Sequence, residues 1–472
     1  MLFNSFEFLA FMALAVVLFY TTRIYKVRRI LLIVASYIFY GAWNPPYLLL
    51  LAGTTLLDFS VAKRMDSVNS AAARRFLLIL SITFNLALLG SFKYGEFLIS
   101  NLNLVMSELG LSGFEYRSGG IILPLGLSFY TFQSIGYVVD VYRRHIKAET
   151  NILDYALFVS FFPQLVAGPI LRAAEFIPQI KALAHHRVVG LEQAAFLLVL
   201  GLFQKTVMAD NIAPLVDAVF KAPASYGSAD AALAVYGFAF QIYFDFAGYS
   251  NMAIGLAMLF GFRIPENFNN PYAAIGLRDF WTRWHISLSQ WLRDYLYISL
   301  GGNRNGSGRT ARNLMITMLL GGLWHGASWT FVLWGGIHGL YLIAERRLVA
   351  LADRLGLRRP LGPAARLVLI ILTFHAVCFA WIFFRAQNGL DQAFLVLHRL
   401  VVPTGTSVSP LLQDRAIYVY LGGLYLATLW SFHALRLRAI EAMWLRGLLA
   451  GGMLALTVLG AGAGNAFIYF QF

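Results

Sequence analysis

Charge is scarce in this chain. Only 13% of its 472 residues are Asp, Glu, Lys or Arg, 59% are hydrophobic, and the mean hydropathy is +0.66. A soluble globular chain is roughly one quarter charged, so a water-facing surface cannot be assembled from these residues, and the remaining solvent is lipid. Cysteine is scarcer still: Cys378 stands alone within an apolar run. That excludes a disulfide framework and any cysteine-rich metal site, and leaves Cys378 as a small core residue. Also absent are a His-Glu-x-x-His pair, a Gly-x-Ser-x-Gly elbow and a Walker-type loop, so no metal is expected. No charged segment precedes the first apolar stretch, Phe6 to Tyr20, and no small-residue cleavage site follows it. It reads as part of a first membrane span rather than a signal peptide. Internal repeats and low-complexity tracts are missing too.

What charge there is has one dominant sign, +14 net with a pI near 9.8. Nucleic acid is the first partner such a number suggests. The basic residues, however, form short clusters between apolar runs, the pattern by which a polytopic protein marks its cytoplasmic loops. No nucleic-acid partner is expected; a phosphate-bearing ligand at one of those loops is the second reading. Apolar runs able to cross a ~30 Å hydrocarbon core, about 20 residues each, lie near 3–22, 29–43, 46–63, 76–94, 120–142, 190–208, 231–262, 366–386, 416–434 and 447–465. Basic connectors at Arg23 to Arg29, Lys63 to Arg75, Arg143 to Lys147, 263–312, 346–366 and 436–446 alternate with short or acid-leaning ones. With positive inside, the spans alternate without a violation and both termini fall on the outer face.

Two segments do not fit as simple spans. The stretch 153–171 contains Pro163 and Pro169, and 313–345 is interrupted by Gly321, Gly322, Trp324, His325 and Gly326; both are basic at either end. Each reads as a hairpin that enters from the cytoplasm and returns. Leu314 to Leu323 covers only about 15 Å at 1.5 Å per helical residue, which sets His325 at membrane depth. An ionisable group there is a site hypothesis by default, and imidazole can take a proton from a hydroxyl near neutral pH. A structural histidine bonded to a carbonyl is the competing reading. Gly322 and Gly326, like Gly335 and Gly339, have the small-residue spacing that lets helix backbones approach.

His285 lies in the Trp- and Arg-rich stretch Phe280 to Trp291, which reads as an interfacial helix. His338, His375 and His433 fall in apolar runs without metal-ligand spacing. The most polar, glycine-rich stretch is the loop Gly301 to Arg309. The arginines of 263–312 can hold the phosphates of a nucleotide-like donor or face anionic lipid. The aromatic ending, 467–472, reads as a membrane-interface belt, and it also presents the phenol of Tyr469 at the outer surface.

Three blocks carry a resemblance. They are Glu266-Asn267-Phe268-Asn269-Asn270-Pro271-Tyr272, then Phe280-Trp281 through Trp291-Leu292-Arg293-Asp294-Tyr295 to Gly301-Gly302-Asn303-Arg304, and Gly321-Gly322-Leu323-Trp324-His325-Gly326-Ala327. With Pro124 to Tyr130 and Phe244 to Ser250 upstream, the chain resembles the membrane-bound O-acyltransferase superfamily over nearly its whole length. The likeness is strongest to the bacterial branch of alginate, peptidoglycan and teichoic-acid acyl-transfer subunits.

The resemblance implies an all-α integral membrane fold. It would be a single polytopic domain of about 10–12 transmembrane helices, with re-entrant and interfacial helices around a central tunnel, in the bacterial inner membrane. It implies that His325 is the catalytic base, that His285 is a second functional histidine, and that acetyl-CoA is the donor with no permanently bound cofactor. Arg283, Arg293, Asn303 and Arg304 fall on the donor side. Tyr469, in Phe467-x-Tyr469-x-x-Phe472, matches a terminal motif whose tyrosine would carry the acyl group transiently. The expected acceptor is an exported, alginate-like polysaccharide, reached through a periplasmic SGNH hydrolase-like partner. Peptidoglycan, cellulose, and lipid- or protein-acylating roles remain open. A transporter predicts paired inverted repeats, which the sequence lacks.

Overall fold

The computed structural model describes residues 1, 3, 5–114, 123–166, 168–183, 188, 190–356, 360–405, 407–435, 443–462 and 467. Among them there are helices and no strand. Each of the ten apolar runs carries a helix. Four helical stretches are long and apolar enough to cross a membrane: Ala71–Glu108, Leu191–Lys221, Ser228–Leu259 and Pro363–Arg385. The fold is that of an all-α membrane protein. Residues 1–194 with 253–265 form one compact unit, and 195–252 with 266–472 form another.

In the first unit, polar side chains of apolar helices satisfy one another. Asp58, in helix Tyr47–Ser67, is fully buried and accepts from Ser81 Oγ at 2.6 Å. Both its oxygens also accept from Asn85 Nδ2 at 3.0 Å, from the helix Ala71–Leu89. Arg29 pairs with Asp154 at 2.7 Å, joining Tyr25–Gly41 to Ile152–Ser160. An unsatisfied polar group in hydrocarbon is costly, and these pairings offset that cost for Asp58 and Asp154, while Asn85 Oδ1 and Arg29 Nε have no partner among the described residues. The rest of this core is aromatic: Phe8, Phe11, Phe39 and Phe162 have ring centroids 5.3 to 6.5 Å apart. The Pro163 segment is two short helices, Ile152–Ser160 and Phe162–Leu165. The chain breaks between them at Phe161, and Pro163 falls in a first turn where its missing N–H removes no helical bond.

Of the four long apolar helices, Ser228–Leu259, whose residues 228–252 belong to the second unit, is the most enclosed, with 89% of its apolar window buried, against 17% for Ala71–Glu108. Close approach is made by glycine: a Cβ on Gly201 would lie 2.5 Å from Gly248 O, and one on Gly248 2.7 Å from Gly201 O. Beyond Phe203 the helix widens into a π turn, Gln204–Ala209, before Asp210–Lys221. The helices Gly306–His325 and Trp329–Arg354 form a hairpin. The first begins inside the glycine-rich stretch expected to be loop. Its opening turn is exposed, so Gly306 and Gly308 meet nothing there. Asn313 Nδ2 ties the preceding turn down through Leu300 O at 3.1 Å and Gly302 O at 2.9 Å.

Candidate active site

His325 is the last residue of helix Gly306–His325, because Gly326 is extended (φ −165°, ψ 153°). The chain restarts when Ser328 Oγ accepts from the Thr330 N–H at 3.3 Å, capping Trp329–Arg354. The hairpin closes on its glycines. A Cβ on Gly322 would collide with the Phe331 carbonyl and stand 3.2 Å from Gly335 Cα. One on Gly335 would collide with the Met318 carbonyl and stand 3.2 Å from Leu319 Cα. The small-residue spacing thus pairs the two helices with each other.

That crossing holds the His325 imidazole, only 3% exposed, among rings. Trp324 lies 4.9 Å away, Trp334 5.1 Å at 90°, and Phe384 5.1 Å. Phe384 comes from helix Pro363–Arg385.

The stretch around His285 is two short helices, Leu277–Arg283 and Ile286–Trp291, instead of one interfacial helix. Asn267 makes the break. Its carbonyl accepts from Ile286 N–H at 3.0 Å, and its Oδ1 accepts from Ser287 N–H at 3.2 Å and Ser287 Oγ at 2.9 Å. At the other end Glu345 accepts from the N–H groups of Leu277 at 2.6 Å and Arg278 at 3.1 Å. His285 is left fully buried in the left-handed region (φ 42°, ψ 56°). Non-glycine residues seldom adopt this conformation, histidine and asparagine more often than most, and residues held in it gather at functional sites. Its ring stands 4.6 Å from Phe246 and 6.0 Å from Trp324. Trp324 therefore touches both histidines predicted from sequence and brings them to one place. Burial pushes the His285 imidazole down to about 3, which keeps it neutral near pH 7.

A third histidine joins them. His338 is fully buried against Trp334 at 4.8 Å, Trp281 at 5.2 Å, Phe280 at 6.1 Å and Tyr341 at 6.0 Å. Neither of its ring nitrogens, nor the indole N–H of Trp334, has a hydrogen-bond partner among the described residues. Buried polar atoms of this kind call for a ligand or water. Sequence reasoning passed over His338 because its link to His325 runs through Trp334 and the hairpin, which no linear spacing displays. His375 and His433 are ordinary by comparison, each with Nδ1 on the carbonyl four residues back, at 2.8 and 2.9 Å.

The residues expected on the donor side are spread out. Arg283 is paired with Asp279 at 2.8 Å and Arg293 with Asp294 at 2.6 Å. Asn303 and Arg304 are exposed on the turn before Gly306–His325. Tyr469 lies outside the described residues. Phe467 is described, fully buried on Tyr249 at 4.3 Å and Phe246 at 5.7 Å.

The family model for MBOAT, the membrane-bound O-acyltransferase family, matches residues 142–384, a stretch that contains all three histidines. The chain belongs to that family. This acyltransferase is 44% identical over 365 residues to the probable alginate O-acetylase AlgI of Pseudomonas aeruginosa, covering 77% of this chain and 68% of that one. It is 42% identical over 397 residues to the Azotobacter vinelandii protein of the same name, 83% and 76% of the two chains. It is 37% identical over 419 residues to a peptidoglycan O-acetyltransferase of Helicobacter pylori, 83% and 77%. It is an O-acetyltransferase of the kind that modifies cell-envelope polymers.

Proposed function

We propose that this acyltransferase moves an acetyl group from cytoplasmic acetyl-CoA across the bacterial inner membrane for O-acetylation of an exported, alginate-like polysaccharide. His325 is the general base. The observation that carries this reading is the placement of His325. It sits at a helix end held by the Gly322 and Gly335 crossing, buried inside a ring of Trp324, Trp334 and Phe384. The relatives named probable alginate O-acetylase support the polymer class.

In the step itself, His325 takes the proton of an acceptor hydroxyl as its oxygen bonds to the thioester carbonyl carbon. The carbonyl becomes an oxyanion, and the buried indole N–H of Trp334, which has no partner among the described residues, is the donor assigned to it. On collapse the C–S bond breaks, and the imidazolium returns its proton to the departing CoA thiolate. His285 and His338 flank the site through Trp324 and Trp334. Arg304 and Asn303, exposed on the turn before Gly306–His325, take the donor's phosphates at the cytoplasmic loop, with Arg283 and Arg293 on the same loop. Tyr469 is the first acceptor, and an SGNH hydrolase-like partner in the periplasm collects the acetyl group from it.

The test is His325→Ala in the producing cell. Ester-linked acetate on the polymer disappears while the protein level in the membrane stays the same; retained acetylation rejects the reading. Tyr469→Phe tests the carrier separately, with normal acetylation as the rejecting result. Peptidoglycan is the second reading, favoured by the similarly broad match to the peptidoglycan enzyme. Ester acetate measured separately on sacculi and on exopolysaccharide distinguishes the two.

A further inference from the structure

Below Phe246 lies a charged cluster that the chemistry above does not use. Lys205, on the π turn Gln204–Ala209, reaches Asp210 at 2.8 Å and Asp245 at 2.6 Å. All three are at most 2% exposed. Ion pairs this deep in an apolar bundle are expensive to bury, so their place in the fold asks for a use. Asp245 and Phe246 are adjacent on Ser228–Leu259, and Tyr249 follows one helical turn on, its ring 5.9 Å from Lys205 Nζ.

Residues 460–462 rest on this cluster. Asn211, next to Asp210, donates to Gly460 O at 2.9 Å, where the helix Met443–Gly460 stops. Arg415 holds the Asn211 amide oxygen. The Gly462 N–H donates to Thr206 O at 2.9 Å, beside Lys205. A Cβ on Gly462 would stand 3.1 Å from Asp210 C and 3.2 Å from Asn211 Cγ, so that residue lies flat on the helix. Five residues later Phe467 packs on Tyr249 and Phe246, and Phe246 is the ring against His285.

We propose that Lys205, Asp245 and Asn211 are positioning residues that fix the backbone at 460–462 and the seat of Phe467 on Phe246 and Tyr249 beside His285, making that seat a working part of the acyl-transfer site. This rests on the acyl-transfer reading of that site. The cluster fixes the π turn and the face of Ser228–Leu259 that presents Phe246 and Tyr249; Asn211 and Thr206 fix the backbone at 460–462. Phe467 packs on that face.

The test uses the full-length protein in its membrane, with p-benzoylphenylalanine in place of Phe467. On irradiation it should cross-link within the chain to the peptide bearing Phe246 and Tyr249. In Asp245→Asn, which leaves one carboxylate for one lysine, the yield should fall at least fivefold, and Lys205→Arg should keep it. Gly462→Val, which displaces the segment without touching a charge, guards against a cluster variant that fails to fold, and should lose the cross-link too. Acetyl transfer in Asp245→Asn and Gly462→Val should fall tenfold or more in kcat, with KM for acetyl-CoA within twofold of the parent. An undiminished cross-link in both variants overturns the seat. A lost cross-link with full kcat overturns its part in the reaction. The cross-link reads the seat whether or not His325 is the base, so the two proposals fail separately.

Discussion

Three histidines meet around Trp324 and Trp334, and their differences are set by what each ring touches. His285 shows this most sharply. Its left-handed backbone is one that Asn adopts more readily than Ala, so His285→Asn keeps the break between the two short helices while removing the imidazole. Membrane-extracted His285→Asn should retain its melting temperature within a few degrees and lose most acetyl transfer; full activity would show that only the backbone bend matters. The burial that pushes this imidazole down to about 3 also fixes a pH dependence. Between about pH 6.5 and 3 the unfolded chain binds a proton at this residue that the folded chain refuses, so stability falls as pH falls through that window. His285→Asn should flatten that part of the stability curve. Trp334→Phe is the companion experiment, since it keeps the ring and removes the N–H. If the indole receives the oxyanion, kcat should drop roughly 10²-fold with KM for acetyl-CoA little changed.

At the scale of elements, the site depends on one crossing. Gly322→Ala drives a methyl into the Phe331 carbonyl. Overpacking of this kind costs about 1–3 kcal/mol, and the displacement falls three residues from His325, so thermal stability and acetyl transfer should fall together. Gly336→Ala, whose nearest neighbour would be a movable Leu319 methyl at 3.5 Å, should be tolerated. Equal loss in both would remove the crossing from the explanation. The four-residue glycine spacing is legible in the sequence as helix packing. What the spacing does not display is the partner, since Gly322 meets residues 331 and 335 only after the chain turns at Gly326. His338 is hidden for the same reason, and so is Asn267, whose hold on His285 spans some twenty residues of sequence. Local pattern also misleads at Phe280 to Trp291. Its amphipathic periodicity reads as one helix, but the Asn267 hydrogen bonds compete with the helical ladder and win at Trp284 and His285.

For the whole molecule, composition alone dictates the solvent, and each apolar run is legible as a helix. Which helix is central is not, because Ser228–Leu259 and Ala71–Glu108 are similarly apolar by count and differ in enclosure, 89% against 17%. Enclosure depends on neighbours, and neighbours are a property of the assembled bundle. The charges supply a separate whole-molecule expectation. Basic connectors stay on the side where lysine and arginine are retained during insertion, which places the turn before Gly306–His325 in the cytoplasm and the connector after Arg385 outside. With Cys378→Ser as background, single cysteines at Gly308 and Gln387, both exposed, should therefore label oppositely. A membrane-impermeant maleimide added to spheroplasts should reach Gln387→Cys and not Gly308→Cys, and inverted vesicles should reverse the pattern. Labelling of both positions from one side would break the alternation of spans, and with it the argument that the arginine-bearing loop meets a cytoplasmic donor.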